Sequence, residues 1–218
     1  MSYPKVTVVG AGFVGAGVAQ RVLEKELADF KNKERALLFG SGYLTNLGVL
    51  SALAGEKDLI VMDKLSHASL IDGARLSGAT LRVFPHRDYS KCQEILEKSN
   101  ARRRILVSDS VFSMDGDLAD LEALIQIKEK WDCLLVVDDA HGLGVFGPTG
   151  RGATEGFEEK IDVIVATLSK VLGVFGGFAA ASSAFIEYFI NTSRPFIFAT
   201  APPPALAGSA LEALRLLR

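Results

Sequence analysis

The stretch LLVVDDAHGLGVFGPTGRG, residues 134–152, sets an apolar run directly against Asp138, Asp139 and His141, and then a glycine-rich loop. A strand covered on both faces reads as a near-continuous apolar run, and open parallel sheets bind ligands beyond the carboxyl ends of their strands. Two adjacent acids and a histidine could hold a metal. Neighbouring strand residues point to opposite faces, however, so Asp138 and Asp139 do not readily serve one ion. One buried carboxylate facing a ring cation fits better, and no metal site is assigned. A structural turn with a hydrogen-bonded histidine is the plainer alternative.

The same pattern recurs outward from this stretch. Strands are predicted at Lys5–Val9, Ala36–Phe39, Asp58–Met62, Thr80–Phe84, Arg104–Asp109, Leu134–Asp138, Val163–Thr167 and Gly177–Ala181. Helix-period stretches lie near 13–30, 43–55, 67–77, 90–98, 119–131, 183–193 and 203–217. This alternation predicts an α/β fold: three layers, α/β/α, around a mostly parallel sheet of seven to eight strands. No Pro/Ser-rich linker divides the chain, so residues 1–218 read as one domain. Their ionisable groups gather at the strand ends, on what would be one rim.

Composition bounds the function classes. Hydrophobic residues make up 49% and charged residues 23% of 218, ordinary values for a globular domain. A net charge of −2 gives no pull towards nucleic acid. The cluster Arg102-Arg103-Arg104 reads as a solvated turn before a strand. Cys92 and Cys133 lack metal-ligand spacing and read as reduced intracellular thiols. The start MSYPKVTVV carries no secretory signal pattern. Residues 171–186 are uncharged but short of the roughly 18–20 apolar residues of a membrane span. They read as a buried loop and strand, and the protein is expected in the cytoplasm.

Further motifs carry chemistry. In IDVIVATLSKVLG, residues 161–173, an apolar strand ends in Thr167-Leu168-Ser169-Lys170. Partial burial would disfavour the ammonium and leave a nucleophilic amine able to form a Schiff base with an aldehyde cofactor; a surface lysine is the plain reading. In LLFGSGYLTNLG, residues 37–48, a strand runs through Gly40-Ser41-Gly42 into a helix from about Tyr43, an arrangement whose free N–H groups suit an anion. His67 starts a helix beyond another strand end, with Ser66 as the expected cap. Ser113-Met114-Asp115-Gly116-Asp117 turns the chain beyond Asp109. A lysine, a carboxylate, an imidazole and an anion cradle on one rim describe a pyridoxal 5'-phosphate site.

From about residue 24 onward the chain resembles the large domain of the α-oxoamine synthases, fold-type I pyridoxal-phosphate enzymes. The resemblance rests on ALLFGSGYLTNLGVLSAL (36–53), DKLSHASLIDGARLSGA (63–79), VFSMDGDLADL (111–121), VVDDAHGLGVFGPTGRG (136–152), TLSK (167–170) and RPFIFATAPPP (194–204). It implies Lys170 as the Schiff-base lysine and later proton carrier, Asp138 as partner of the pyridinium nitrogen, and His67 stacked on the ring. It implies His141 as donor to the ring oxygen, Ser113 as a further contact, Gly42 and Tyr43 in the phosphate cradle, and Thr167 as a cofactor-binding threonine. The implied reaction joins a small amino acid to an acyl-CoA thioester with loss of carbon dioxide. Such enzymes build their sites between two subunits, so a homodimer is one expected assembly, beside a monomer or a swapped form.

The resemblance also implies departures. The C-terminal small domain, with its arginine for the substrate carboxylate, is expected to be absent. Residues 1–29 instead resemble the first βα unit of a malate or lactate dehydrogenase, so that 30–218 is the transferase core and the whole reads as a chimera with a Rossmann-like start. The join falls in LEKELADFK, residues 23–31, and Val14, Val18 and Val22 with Leu23 and Leu27 form an apolar stripe. Gly10, Gly12 and Gly15 form a G-x-G-x-x-G loop, a weak signal alone. The acid expected at the next strand end for a ribose is missing. NAD is therefore not the expected cofactor, and the loop reads as vestigial. The competing readings are a nucleotide-binding module and an engineered chimera without activity.

Overall fold

The computed structural model describes residues 13–218, and side chains from residue 17. Seven strands form one sheet: β1 (Arg35–Phe39), β2 (Leu59–Asp63), β3 (Thr80–Phe84), β4 (Arg104–Asp109), β5 (Cys133–Asp138), β6 (Val163–Thr167) and β7 (Gly177–Ala181). Their order is β1-β7-β6-β5-β4-β2-β3. Neighbours from β6 to β3 are parallel, and β7 runs antiparallel to both β1 and β6. The seven lie within a residue or so of the predicted segments. The predicted strand Lys5–Val9 lies outside the described residues.

Among the described residues eight helices cover the sheet: α1 (Phe13–Phe30), α2 (Gly42–Leu53), α3 (Ala68–Ser77), α4 (Tyr89–Glu97), α5 (Leu121–Trp131), α6 (Ser183–Thr192), α7 (Arg194–Ile197) and α8 (Pro204–Leu217). Strand periodicity sorts the apolar side chains. Leu37, Phe39, Ile60, Met62, Ile105 and Val107 pack with α2, α3 and α6 on one face. On the other face Ala36, Leu38, Ala166, Phe178 and Ala180 meet α1 and α8, while Leu59, Val61, Leu106 and Leu135 meet α4 and α5. This is the three-layer α/β/α arrangement. Gly73 lets α3 lie close on α2, since a Cβ there would sit 2.9 Å from Asn46 O.

Two expectations need correction. The predicted apolar stripe of α1 holds at Leu23 and Leu27, which are buried with Ala19, but not at Val18, which is exposed, or Val22, which is only half-buried. A four-residue spacing runs through 19, 23 and 27, so that row faces the sheet. Ser66 is not the cap of α3; His67 is, its Nδ1 accepting from Ser69 N–H at 3.2 Å. α7 was too short for periodicity to reveal. The helix α1 also covers the sheet edge, where Glu24 Oε1 accepts from Leu38 N–H of β1 at 3.0 Å. Burial raises the pKa of Glu24.

The uncharged stretch 171–186 is a loop, β7 and the start of α6. Among the described residues no helix is long and apolar enough to cross a membrane. Cys92 and Cys133 are free and buried, and burial pushes their thiols up to about 12 and about 11.

Candidate active site

The parallel strands end together, which brings Asp63, Asp109, Asp138 and Thr167 to one rim. There a cavity of about 230 Å³ collects groups from four strand ends. Larger clefts of about 600 and 550 Å³ lie elsewhere, but neither gathers buried acids with a lysine and histidines. Chemistry rather than size marks the smaller cavity as the site.

Its first wall is the turn from β1 into α2. Ser41 caps the helix, its Oγ accepting from Leu44 N–H at 3.1 Å. Gly42 and Tyr43 follow, and both line the cavity. The Gly42 and Tyr43 N–H groups, unlike that of Leu44, have no acceptor among the described residues, which suits a phosphate. Gly177, at the start of β7, makes this turn possible: a Cβ there would lie 2.5 Å from Gly42 N and 2.6 Å from Gly42 Cα. Thr167, also in the wall, donates to Gly176 O at 3.0 Å and shares a 2.8 Å hydrogen bond with Ser169. The Tyr43 hydroxyl donates to Asp72 of α3 at 2.6 Å.

The floor is acidic. Asp138 is buried, accepting from Asn46 Nδ2 at 2.6 Å and from Ala140 N–H at 2.9 Å. Both donors are neutral. Burial raises its pKa, against these hydrogen bonds and the nearby Lys170 and His67. Asp109, opposite Asp138 on the neighbouring strand, accepts from His67 N–H at 3.1 Å. Burial and the Asp138 carboxylate push it up to about 8. Two buried carboxylates here lack a cationic hydrogen-bond partner from the chain, so the site favours a bound cation or N–H donor.

Lys170 lines the same cavity and is solvent-exposed, with partial desolvation by its surroundings. Burial lowers its pKa, although Asp138 and Asp109 work the other way. His141 is lowered by burial and by Lys170, which favours neutral imidazole. Asp139 turns away from all of this. It meets Lys31 Nζ at 2.8 Å, both side chains wholly buried. The two adjacent acids thus have separate partners on opposite sides of β5.

Gly42, Tyr43, His67, Asp138, His141, Thr167 and Lys170 all line the cavity. Ser113 does not; it is exposed in the turn after β4, because that turn folds back through the Val111–Leu118 bridge. Gly10 and Gly12 lie outside the described residues, and Gly15 is placed only as backbone of α1. Asn46, Ser69 and Asp109 also line the cavity and had no predicted role. Asn46 sits among the core-facing positions of α2, beside Thr45, and nothing in the local pattern marked it for the site. Elsewhere His86, Asp115 and Asp117 bring donor atoms within 4.8 Å of one another. Both His86 nitrogens are already engaged there, by Asp63 at 2.9 Å and Asp117 at 2.8 Å.

The description aminotransferase class I and II matches residues 14–216. The chain belongs to this family. The match takes in residues 14–29, the stretch expected to be dehydrogenase-like, so helix α1 lies inside the family's own span. Among curated class I and II relatives, 8-amino-7-oxononanoate synthase of Citrifermentans bemidjiense is 47% identical over 96% of this chain and 57% of its own length. 8-Amino-7-oxononanoate synthase 1 of Bacillus subtilis is 44% identical over 93% and 53%. Serine palmitoyltransferase of Sphingomonas wittichii superposes with a TM-score of 0.89 at 34% identity, over 96% of this chain and 54% of that one. An SPT chain solved with PLP gives 0.88 at 34% identity, over 91% and 51%. The fold is that of the α-oxoamine synthases, and the chain spans about half the length of these relatives.

The residues present fit pyridoxal phosphate. Its aldehyde calls for a primary amine, its ring nitrogen for a buried carboxylate, and its phosphate for free N–H groups at a helix start. Lys170, Asp138 and the Ser41–Gly42 turn supply these in one cavity.

Proposed function

We propose that this chain is the pyridoxal-phosphate-binding core of an α-oxoamine synthase, acting on a small amino acid and an acyl-CoA thioester with loss of carbon dioxide. The observation that carries the reading is Asp138, buried without a cationic hydrogen-bond partner, in one cavity with the Lys170 amine. Bound there, pyridoxal phosphate supplies a sink for the electron pair released at the amino acid's α-carbon. Asp138 holds a proton on the ring nitrogen; its burial, with only neutral donors, makes that N–H its missing partner. His67, at the start of α3, covers the ring. His141, kept neutral, donates to the ring oxygen. The α2 start and Thr167 hold the phosphate. Lys170 receives the aldehyde, then moves the proton at the amino acid's α-carbon, which its lowered pKa favours. Asn46, bridging Asp138 and Ser69 at 2.6 and 2.8 Å, fixes the carboxylate.

We further take residues 13–218 as one domain, working in the cytoplasm, where free cysteines such as Cys92 and Cys133 persist. A homodimer is the proposed assembly. Phe198, 73% exposed between α7 and α8, supports a surface that a second copy covers.

The test is loading with pyridoxal phosphate, removal of excess, and a visible spectrum, followed by borohydride reduction and peptide mass mapping. A visible band and a cofactor mass on the peptide carrying Lys170, both lost in Lys170→Ala, are expected. A band that survives Lys170→Ala would refute the assignment.

A further inference from the structure

At the amino-terminal ends of β4 and β5, opposite the rim, lies a cleft of about 550 Å³. Arg102, Arg103, Arg104, Asp132, Phe185 and Tyr188 line it, with apolar side chains behind them. The arginine run predicted as a solvated turn therefore borders a concave surface.

The three guanidinium groups differ in what they meet. Arg102 is neutralised by a two-pronged contact with Asp58, at 3.0 and 2.8 Å. Arg103 donates from Nη1 to Leu53 O at 2.6 Å, at the end of α2. Arg104 donates to Trp131 O at 3.3 Å and Ser99 O at 3.0 Å. Among the described residues neither Arg103 nor Arg104 has a carboxylate within ion-pair distance. Arg104 Nε is buried and has no acceptor. An arginine carries five N–H donors, so the two cations keep unspent donors beside a low-dielectric wall.

The wall suits a flat ring. Tyr188 is 45% exposed, and its ring is held in place by its hydroxyl, which donates to Ala52 O at 3.0 Å. Phe185 lies one helical turn away on α6. Asp132, in the left-handed turn between α5 and β5, adds a carboxylate acceptor for an amine. A phosphate matches two guanidinium forks in charge and shape better than a carboxylate does. We propose that this cleft binds an organic phosphate bearing a flat, amino-substituted ring, of the purine mononucleotide class, at a site separate from the rim cavity.

The probe is adenosine monophosphate, titrated calorimetrically into the cofactor-loaded chain, beside inorganic phosphate, adenosine and octanoate. The nucleotide is expected to bind at least about tenfold more tightly than any of the three, and less tightly as salt rises. Arg103→Gln and Tyr188→Leu should each weaken it by about tenfold or more while leaving the Lys170-dependent absorbance and the thermal midpoint in place. Nucleotide binding no tighter than phosphate would overturn the proposal. So would preferential octanoate binding, indifference to both substitutions, or displacement of the cofactor by the nucleotide. Loss of the cofactor band in the unsubstituted chain would bear on the rim site alone, since the calorimetry reads the cleft directly.

Discussion

Replacing Lys31 by Met should destabilise this protein as strongly as deleting a large core side chain, although Lys31 lies just past the end of α1. Both Lys31 and Asp139 are wholly buried, with Nζ and Oδ2 2.8 Å apart. The ammonium spends its three donors on Asp139, on Thr154 Oγ1 at 2.8 Å and on Arg151 O. Asp139 is saturated too, accepting from Ser110 Oγ at 2.5 Å, Thr154 Oγ1 at 2.9 Å and Ala153 N–H at 3.1 Å. Lys31→Met leaves a buried carboxylate with neutral donors only, a loss of about 3–5 kcal/mol. For a chain of this size that lowers the thermal midpoint by roughly 6–20 °C. Asp139→Asn strands the ammonium and should cost a similar amount. In the double variant Lys31→Met/Asp139→Asn no charge remains, so its loss should fall short of the summed singles by about 2 kcal/mol or more. Urea unfolding followed by circular dichroism at pH 7.5 measures all four corners of the cycle. A loss under about 1 kcal/mol for Lys31→Met, the value of an exposed pair, would refute the reasoning. So would singles that simply add.

Asp109→Asn should stabilise the protein more at pH 8 than at pH 5. Folded Asp109 keeps its proton up to about pH 8, whereas the unfolded chain releases it near pH 4, about the free carboxylate value. The folded state then binds more protons in that window, so its stability falls as pH rises through it, and the amide removes that slope. Urea midpoints at the two pH values check this; an unchanged difference between variant and parent would count against it. Gly177→Ala should weaken retention of pyridoxal phosphate and lower the thermal midpoint together, since its Cβ would drive into the Gly42 backbone; cofactor release on dialysis reads the first effect. Leu27→Ala, at a wholly buried position of α1, should cost about 2–5 kcal/mol in urea. Asp138→Asn should keep the Lys170-linked cofactor but slow exchange of the amino acid's α-hydrogen in deuterated water by on the order of 10²–10³-fold. Equal loss of attachment and exchange would contradict the role given to Asp138.

Strands β2, β4, β5 and β6 were legible because parallel strands buried on both faces leave apolar runs such as LIVMD and VIVAT, bounded by polar residues. The rim was legible for the same reason, since each run delivers an ionisable or hydroxyl residue at its carboxyl end. What local pattern hides is pairing across the chain. Nothing near Lys31 announces a partner 108 residues on, and a lysine after a helix reads as solvated. Asn46 is spaced like a core residue of α2, and only the folded chain shows it on Asp138. Ser113 misleads in the opposite sense: it follows a strand end closely, but the turn carries it out to solvent. The part of the α1 stripe that failed, Val18 and Val22, has a similar cause. Two apolar rows, 14-18-22 and 19-23-27, compete on that helix, and packing against β1 and α8 selects the second.

The row of acids along the rim argues for the function more sharply than any one of them. Asp63, Asp109 and Asp138 end β2, β4 and β5, consecutive in the sheet from its edge towards its centre. Each is buried. Asp63 has a histidine, His86 Nδ1 at 2.9 Å, and the N–H groups of Leu65 and Arg87 at 2.8 Å. Burial opposes charge on His86, but Asp63 and Asp117 outweigh it and raise its pKa. Asp109 has one backbone N–H, and Asp138 an amide and a backbone N–H. Basic hydrogen-bond partners thus vanish from the row as it enters the cavity, where charge is hardest to bury. A structural network would be satisfied throughout, as that of Asp139 is one residue away. The deficit at Asp138 is local, faces the cavity that holds Lys170, and is met by a protonated ring nitrogen. Loading with pyridoxal phosphate should therefore stabilise the folded chain more above neutral pH than at pH 5, where Asp109 carries a proton of its own and burial favours one on Asp138. A stabilisation that is the same at both pH values would place the ring away from these carboxylates.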